Sequence, residues 1–136
     1  MIQKIDHIAI AVKNLAEEIT RYRDVLGLEY LGSEIIPEQK VTVAFFKIND
    51  VFIELLEPTG PDSPISAFIE KKGGGLHHLA LEVGDIKAAI KRLQEKNVQL
   101  LDNEPKNGAH HSKIAFVHPK SFSGVLIELK QQGDES

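Results

Sequence analysis

Residues 4–12 alternate in character: Ile8, Ile10 and Val12 fall on one side, and Ile5, His7, Ala9 and Ala11 on the other. That two-residue period predicts a β-strand with one face committed to a core. The pattern then changes period. Leu15, Ile19, Tyr22, Val25 and Leu26 recur at helical spacing, behind an Asn14 N-cap with Glu17 completing a capping box and ahead of Gly27 as the closing glycine. Leu28 to Leu31 predicts a short strand, and a polar loop runs through Pro37-Glu38-Gln39. Val41 to Ile48 and Val51 to Leu56 predict two strands joined at Asn49-Asp50. The proline-rich run Pro58 to Pro64 interrupts regular structure. Ile65, Phe68 and Ile69 then suggest a short linking helix, closed by Gly73-Gly74-Gly75.

The second half repeats that order. Leu76 to Val83 reads as a strand, and Asp85 caps a helix built on Ile86, Ala89, Ile90 and Leu93 that ends near Asn97. Val98 to Leu101 is a short strand, residues 102–112 a loop, Lys113 to Val117 a strand, residues 118–121 a turn and Val125 to Lys130 the last strand. Past Gln131 the tail reads as disordered. Landmarks recur at nearly constant shift: His7 with His78 at 71, Gly27 with Asn97 at 70, Ala44-Phe45 with Ala115-Phe116 at 71, Glu54 with Glu128 at 74. The chain therefore divides into module one at 1–60, a linker at 61–75, module two at 76–131 and a tail at 132–136. The expected fold class is α+β: two βαβββ modules forming a curved mixed sheet around a metal-containing cavity. One helix per module covers one sheet face and leaves the other open.

Parity selects the chemistry. His7 and His78 lie out of phase with the apolar residues that must meet the helices, and so do Glu54 and Glu128. All four are expected on the open face, with Ala9, Ala11 and Ala80 keeping it clear. Two imidazoles and two carboxylates suit a divalent first-row cation. A lone strand His or Glu is more often a solvated surface residue; the repeat argues for the set. His77 has the opposite parity, toward the helix side, and fits a hydrogen-bonded supporting role. His110 and His111 fall in the long loop, exposed, with a lid as the alternative. Lys106, Lys113, His118 and Lys120 could meet phosphates or be ordinary surface.

Composition narrows the classes. The 136 residues are 42% hydrophobic and 26% charged, ordinary for one globular domain. A net charge of −4 with no basic stripe argues against nucleic acid. No apolar run approaches a membrane span, and Met1-Ile2-Gln3-Lys4 carries no signal-peptide core. Zero cysteines exclude disulfides, thiol nucleophiles and Cys–zinc sites. A cytoplasmic setting is expected. The oligomeric state is left open, with a homodimer as one option.

Several strings then resemble a known family. Asp6-His7-Ile8-Ala9, Glu54-Leu55-Leu56-Glu57-Pro58 with Asp62-Ser63-Pro64-Ile65, Gly75-Leu76-His77-His78, and His118-Pro119-Lys120 leading to Gly124-Val125-Leu126-Ile127-Glu128-Leu129 resemble the vicinal oxygen chelate superfamily and, within it, the methylmalonyl-CoA epimerases. The resemblance implies a metal held by His7, Glu54, His78 and Glu128, an acyl-CoA substrate and α-proton abstraction through a stabilised enolate. Co2+ is the expected ion, with Mn2+, Ni2+ or Zn2+ as alternatives. Some family members carry a glutamate as base on the strand after the Pro-Glu-Gln loop. That position is Val43 here, which leaves Glu54 and Glu128 as the candidate catalytic bases, each doubling as ligand. Two other readings remain open: a glyoxalase I-like lactoylglutathione lyase, and a metal-free small-molecule-binding module of the same fold.

Overall fold

The computed structural model describes residues 1–133. The chain forms two compact units, His7–His77 and Met1–Asp6 with the residues from His78 onward. No helix among the described residues is long and apolar enough to cross a membrane.

The unit from His7 to His77 contains the second half of β1 (Ile2–Ala11), then α1 (Leu15–Thr20), β2 (Glu29–Ile36), β3 (Val41–Ile48), β4 (Val51–Pro58) and α2 (Pro64–Lys72). Its strands lie in the order β2-β3-β4-β1, antiparallel except for the parallel β1–β4 pair. The Asn14 side chain accepts the Glu17 amide at 3.0 Å and starts α1. The Glu57 carboxylate accepts the Leu15 amide at 2.7 Å and fastens the same helix end to β4. Val12, Leu15, Ala44, Phe46 and Leu55 form the core under α1, with Ile10, Ile19, Tyr22 and Ile53 packed around them.

Two expectations are corrected in this unit. Val25 and Leu26 do not join the apolar stripe; they are 79% and 64% exposed. The helix widens into a π turn over Arg21–Val25, where the Leu26 amide reaches back to the Arg21 carbonyl. The extra residue per turn rotates the last positions off the core face. The strand expected at Leu28 to Leu31 instead runs Glu29–Ile36, with a bulge between Tyr30 and Gly32 that lets it continue alongside β3.

The other unit holds β5 (Gly75–Val83) from His78, α3 (Ile86–Glu95), β6 (Lys106–Asn107), β7 (Lys113–Val117) and β8 (Ile127–Gln131). Its strand order, β6-β7-β8-β5 with β5 and β8 parallel, repeats that of the first. Register makes the repeat explicit: Ala9 faces Glu54, which faces Phe45, and Ala80 faces Glu128, which faces Phe116. Asp85 caps α3 through the Ala88 amide. Val83, Ile86, Ala89, Ile90, Val117 and Leu129 form the core beneath it.

The copies differ at one edge. The strand expected at Val98 to Leu101 is reduced to a single bridge, Leu100 with Val117. The Asp102 carboxylate takes the Phe116 amide at 2.8 Å, the donor that a continuing ladder would need. The short β6 then pairs at that edge, and the last strand begins at Ile127 rather than Val125. The tail is not wholly loose: the Gln132 amide donates to Asp6 at 2.9 Å and to Glu82 at 2.7 Å. The remainder of the expected disordered tail, 134–136, lies outside the described residues.

Candidate functional site

Each unit brings together one histidine and one glutamate of the expected set. On adjacent parallel strands, His7 Nδ1 lies 3.1 Å from Glu54 Oε2, and His78 Nε2 lies 3.1 Å from Glu128 Oε1. All four side chains are at least nine-tenths buried. The neighbouring Ala9 and Ala80 are fully buried and add only methyl groups to the same face. A buried carboxylate is costly unless its charge is matched. Each pair presents a nitrogen and an oxygen close enough to share one small cation, and the donor types suit a divalent first-row ion. The residues present therefore fit the metal expected from the sequence.

Sequence reasoning missed the ring that orients His78. Phe116 meets the imidazole edge-on, 5.3 Å between centroids with planes at 88°. Its position opposite Glu128 was visible as a landmark of the repeat, but not as a contact. Lys106, one of the four basic residues considered for phosphate contact, lies with its ammonium 5.2 Å from the Phe116 ring centroid and 3.3 Å from Asp102. Lys113 donates to Asn107, and the His118 ring accepts the Lys120 amide, so both have local structural partners. His77 turns its edge to Phe68 of α2 at 4.8 Å, in keeping with its helix-side parity. His110 and His111 are exposed, both with positive φ.

A second charged cluster was also missed. Asp6 is fully buried and pairs with the buried Lys130 at 2.9 Å, while Gln132 bridges Asp6 and Glu82. A charged residue on each of two core strands was the available signal, but nothing in the sequence linked positions so far apart. Removing one partner strands the other charge in the interior, which costs ~3–5 kcal/mol. Lys130→Met is therefore expected to lower the midpoint of thermal unfolding sharply. Replacing both partners with apolar residues should recover part of the loss, and scanning calorimetry on the single and double variants checks both expectations.

Residues 6–116 match the model of the Glyoxalase/Bleomycin resistance protein/Dioxygenase superfamily, and the chain belongs to that superfamily. The relatives it resembles inside that superfamily include methylmalonyl-CoA epimerases. The ethylmalonyl-CoA/methylmalonyl-CoA epimerase of Cereibacter sphaeroides is 45% identical over 133 residues, covering 96% of this chain and 99% of the relative. The mitochondrial methylmalonyl-CoA epimerase of Mus musculus is 43% identical over 129 residues, covering 94% of this chain and 72% of the relative. A solved methylmalonyl-CoA epimerase in complex with methylmalonyl-CoA and NH4+ superimposes with a TM-score of 0.93 at 38% identity, covering 97% of this chain and 96% of that one.

Proposed function

We propose that this protein interconverts the (R) and (S) forms of methylmalonyl-CoA, with His7, Glu54, His78 and Glu128 holding one divalent cation. The observation that carries this reading is the repeated buried His–Glu pair at equivalent register in each unit, in a chain similar throughout its length to epimerases of that substrate. Co2+ suits two imidazoles and two carboxylates, and Mn2+, Ni2+ and Zn2+ accept the same donors.

Epimerisation breaks the α C–H bond, leaves its electron pair in the enolate and returns a proton to the opposite face. A divalent cation held by these four residues would supply positive charge to stabilise the enolate oxygen. The chain must supply two proton carriers, one for each face of the α-carbon. Glu54 and Glu128 are the proposed carriers, each serving as ligand and base. Ala9 and Ala80 limit crowding beside them, and the Phe116 ring fixes the imidazole of His78. Burial keeps bulk water from competing for the transferred proton.

Proton exchange tests the reading. Metal-loaded protein incubated with methylmalonyl-CoA in deuterium oxide is expected to wash deuterium into the α position, followed by NMR. Metal-stripped protein should not. Absence of exchange in folded, metal-loaded protein would overturn the assignment.

A further inference from the structure

We propose that Glu34, on the same sheet face as Glu54, replaces Glu54 as the proton carrier for one face of the α-carbon, so that Glu54 serves as a ligand alone. The inference rests on the epimerase reading above.

The polar and apolar positions of β2 are inverted. This strand lies at the outside of its unit's sheet, where polar residues ordinarily point outward and apolar ones inward. Here Ile35 points outward and is 64% exposed, whereas the neighbouring Glu34 turns toward the sheet interior and is half-buried. An arrangement that breaks local patterning without a packing gain is expected where function requires it.

Register shows which face Glu34 occupies. Glu34 lies opposite Val43, Val43 opposite Leu56, and Leu56 opposite Ala11. The adjacent row on the same face is Gly32, Phe45, Glu54 and Ala9. Glu34 therefore shares the open face with Glu54, one row along and two strands across. Among the described residues of this unit's strands, the carboxylates on that face are Glu29, Glu34 and Glu54; Glu29 is exposed and lies opposite Lys47 at the far end of β2. Val41, Val43, Phe45 and Leu56 around Glu34 and Glu54 are buried. Directly opposite residues place their Cβ atoms ~5 Å apart, so the longer Glu34 side chain can extend over the short Val43. Gly32 keeps the neighbouring row open, since a Cβ built there meets nothing within 4 Å.

Chemistry separates Glu34 from Glu54. A ligand that also acts as base must release the cation in every turnover; Glu34 is under no such demand. A carboxylate facing an anionic acyl-CoA is a poor anchor for it, but a suitable acceptor for its α-proton. In the step, the C–H bond breaks, its electron pair enters the enolate, and the proton bonds to a Glu34 oxygen. The same carboxyl returns a proton when the opposite epimer enters.

The test uses metal-loaded wild type, Glu34→Gln and Glu34→Asp, with each epimer supplied separately in deuterium oxide. The glutamine variant is expected to keep its metal content and KM while kcat for epimerisation falls ~10²–10⁴-fold. Exchange without inversion should persist for one epimer and vanish for the other. The aspartate variant, which keeps the acid, should recover part of kcat. Wild-type turnover for both epimers in the glutamine variant would overturn the assignment, as would a loss confined to metal content or KM. A silent wild type in the same assay would instead overturn the epimerase reading itself.

Discussion

Glu128→Gln is expected to lower epimerisation by ~10²–10⁴-fold while the protein stays folded. Glutamine keeps the shape of the side chain and one carbonyl oxygen, so packing beside Ala80 and Phe116 changes little. It cannot accept a proton at neutral pH. The His78 imidazole, 3.1 Å from the carboxylate in the wild type, keeps an oxygen partner of reduced charge. The loss should therefore fall mainly on kcat, with some decline in metal affinity. Turnover per bound metal ion, from steady-state kinetics alongside elemental analysis, separates the two effects. Full turnover per metal ion would remove Glu128 from the proton-transfer step and leave it as a ligand.

The repeat made the pairing of the candidate site's residues legible. A strand has a period of two, so once Ile8, Ile10 and Val12 are assigned to the core, His7 must face the other way, and the same holds for His78, Glu54 and Glu128. Landmarks at a common shift then gave the element order of the second unit from the first. What the sequence did not carry were features settled by single local contacts. The π turn at Arg21–Val25 leaves the apolar spacing intact and still rotates Val25 and Leu26 outward. The Asp102 carboxylate caps the Phe116 amide and displaces a strand that Val98 to Leu101 would otherwise support. The Asp6–Lys130 pair joins residues 124 positions apart, and periodicity carries no information at that separation. Glu34 was passed over because a glutamate on an outer strand reads as surface; its direction became visible once the Tyr30/Gly32 bulge fixed the register.

Stripping the divalent cation with a chelator should abolish epimerisation and also lower thermal stability. A ligand that binds the folded state alone stabilises it by ~2.7 kcal/mol at a free concentration one hundred times Kd, so the unfolding midpoint should climb with added metal. The pairs supply the reason. Without a cation, each unit must hold a carboxylate and an imidazole 3.1 Å apart in its interior, matched by protons or by each other. In the proposed site, a bound divalent cation would supply the positive charge that these carboxylates lack. His7→Ala and His78→Ala should each weaken metal binding by more than the ~10–100-fold that removing a hydrogen-bond partner of a ligand costs. Because the two histidines occupy equivalent register positions, their losses should be similar in size, and the double variant should bind no metal at stoichiometric concentration. Titration calorimetry with Co2+ on the four proteins measures this directly. If the His78 variant bound as tightly as wild type while the His7 variant did not, the cation would belong to one unit's pair alone, and the two-pair assignment would be wrong.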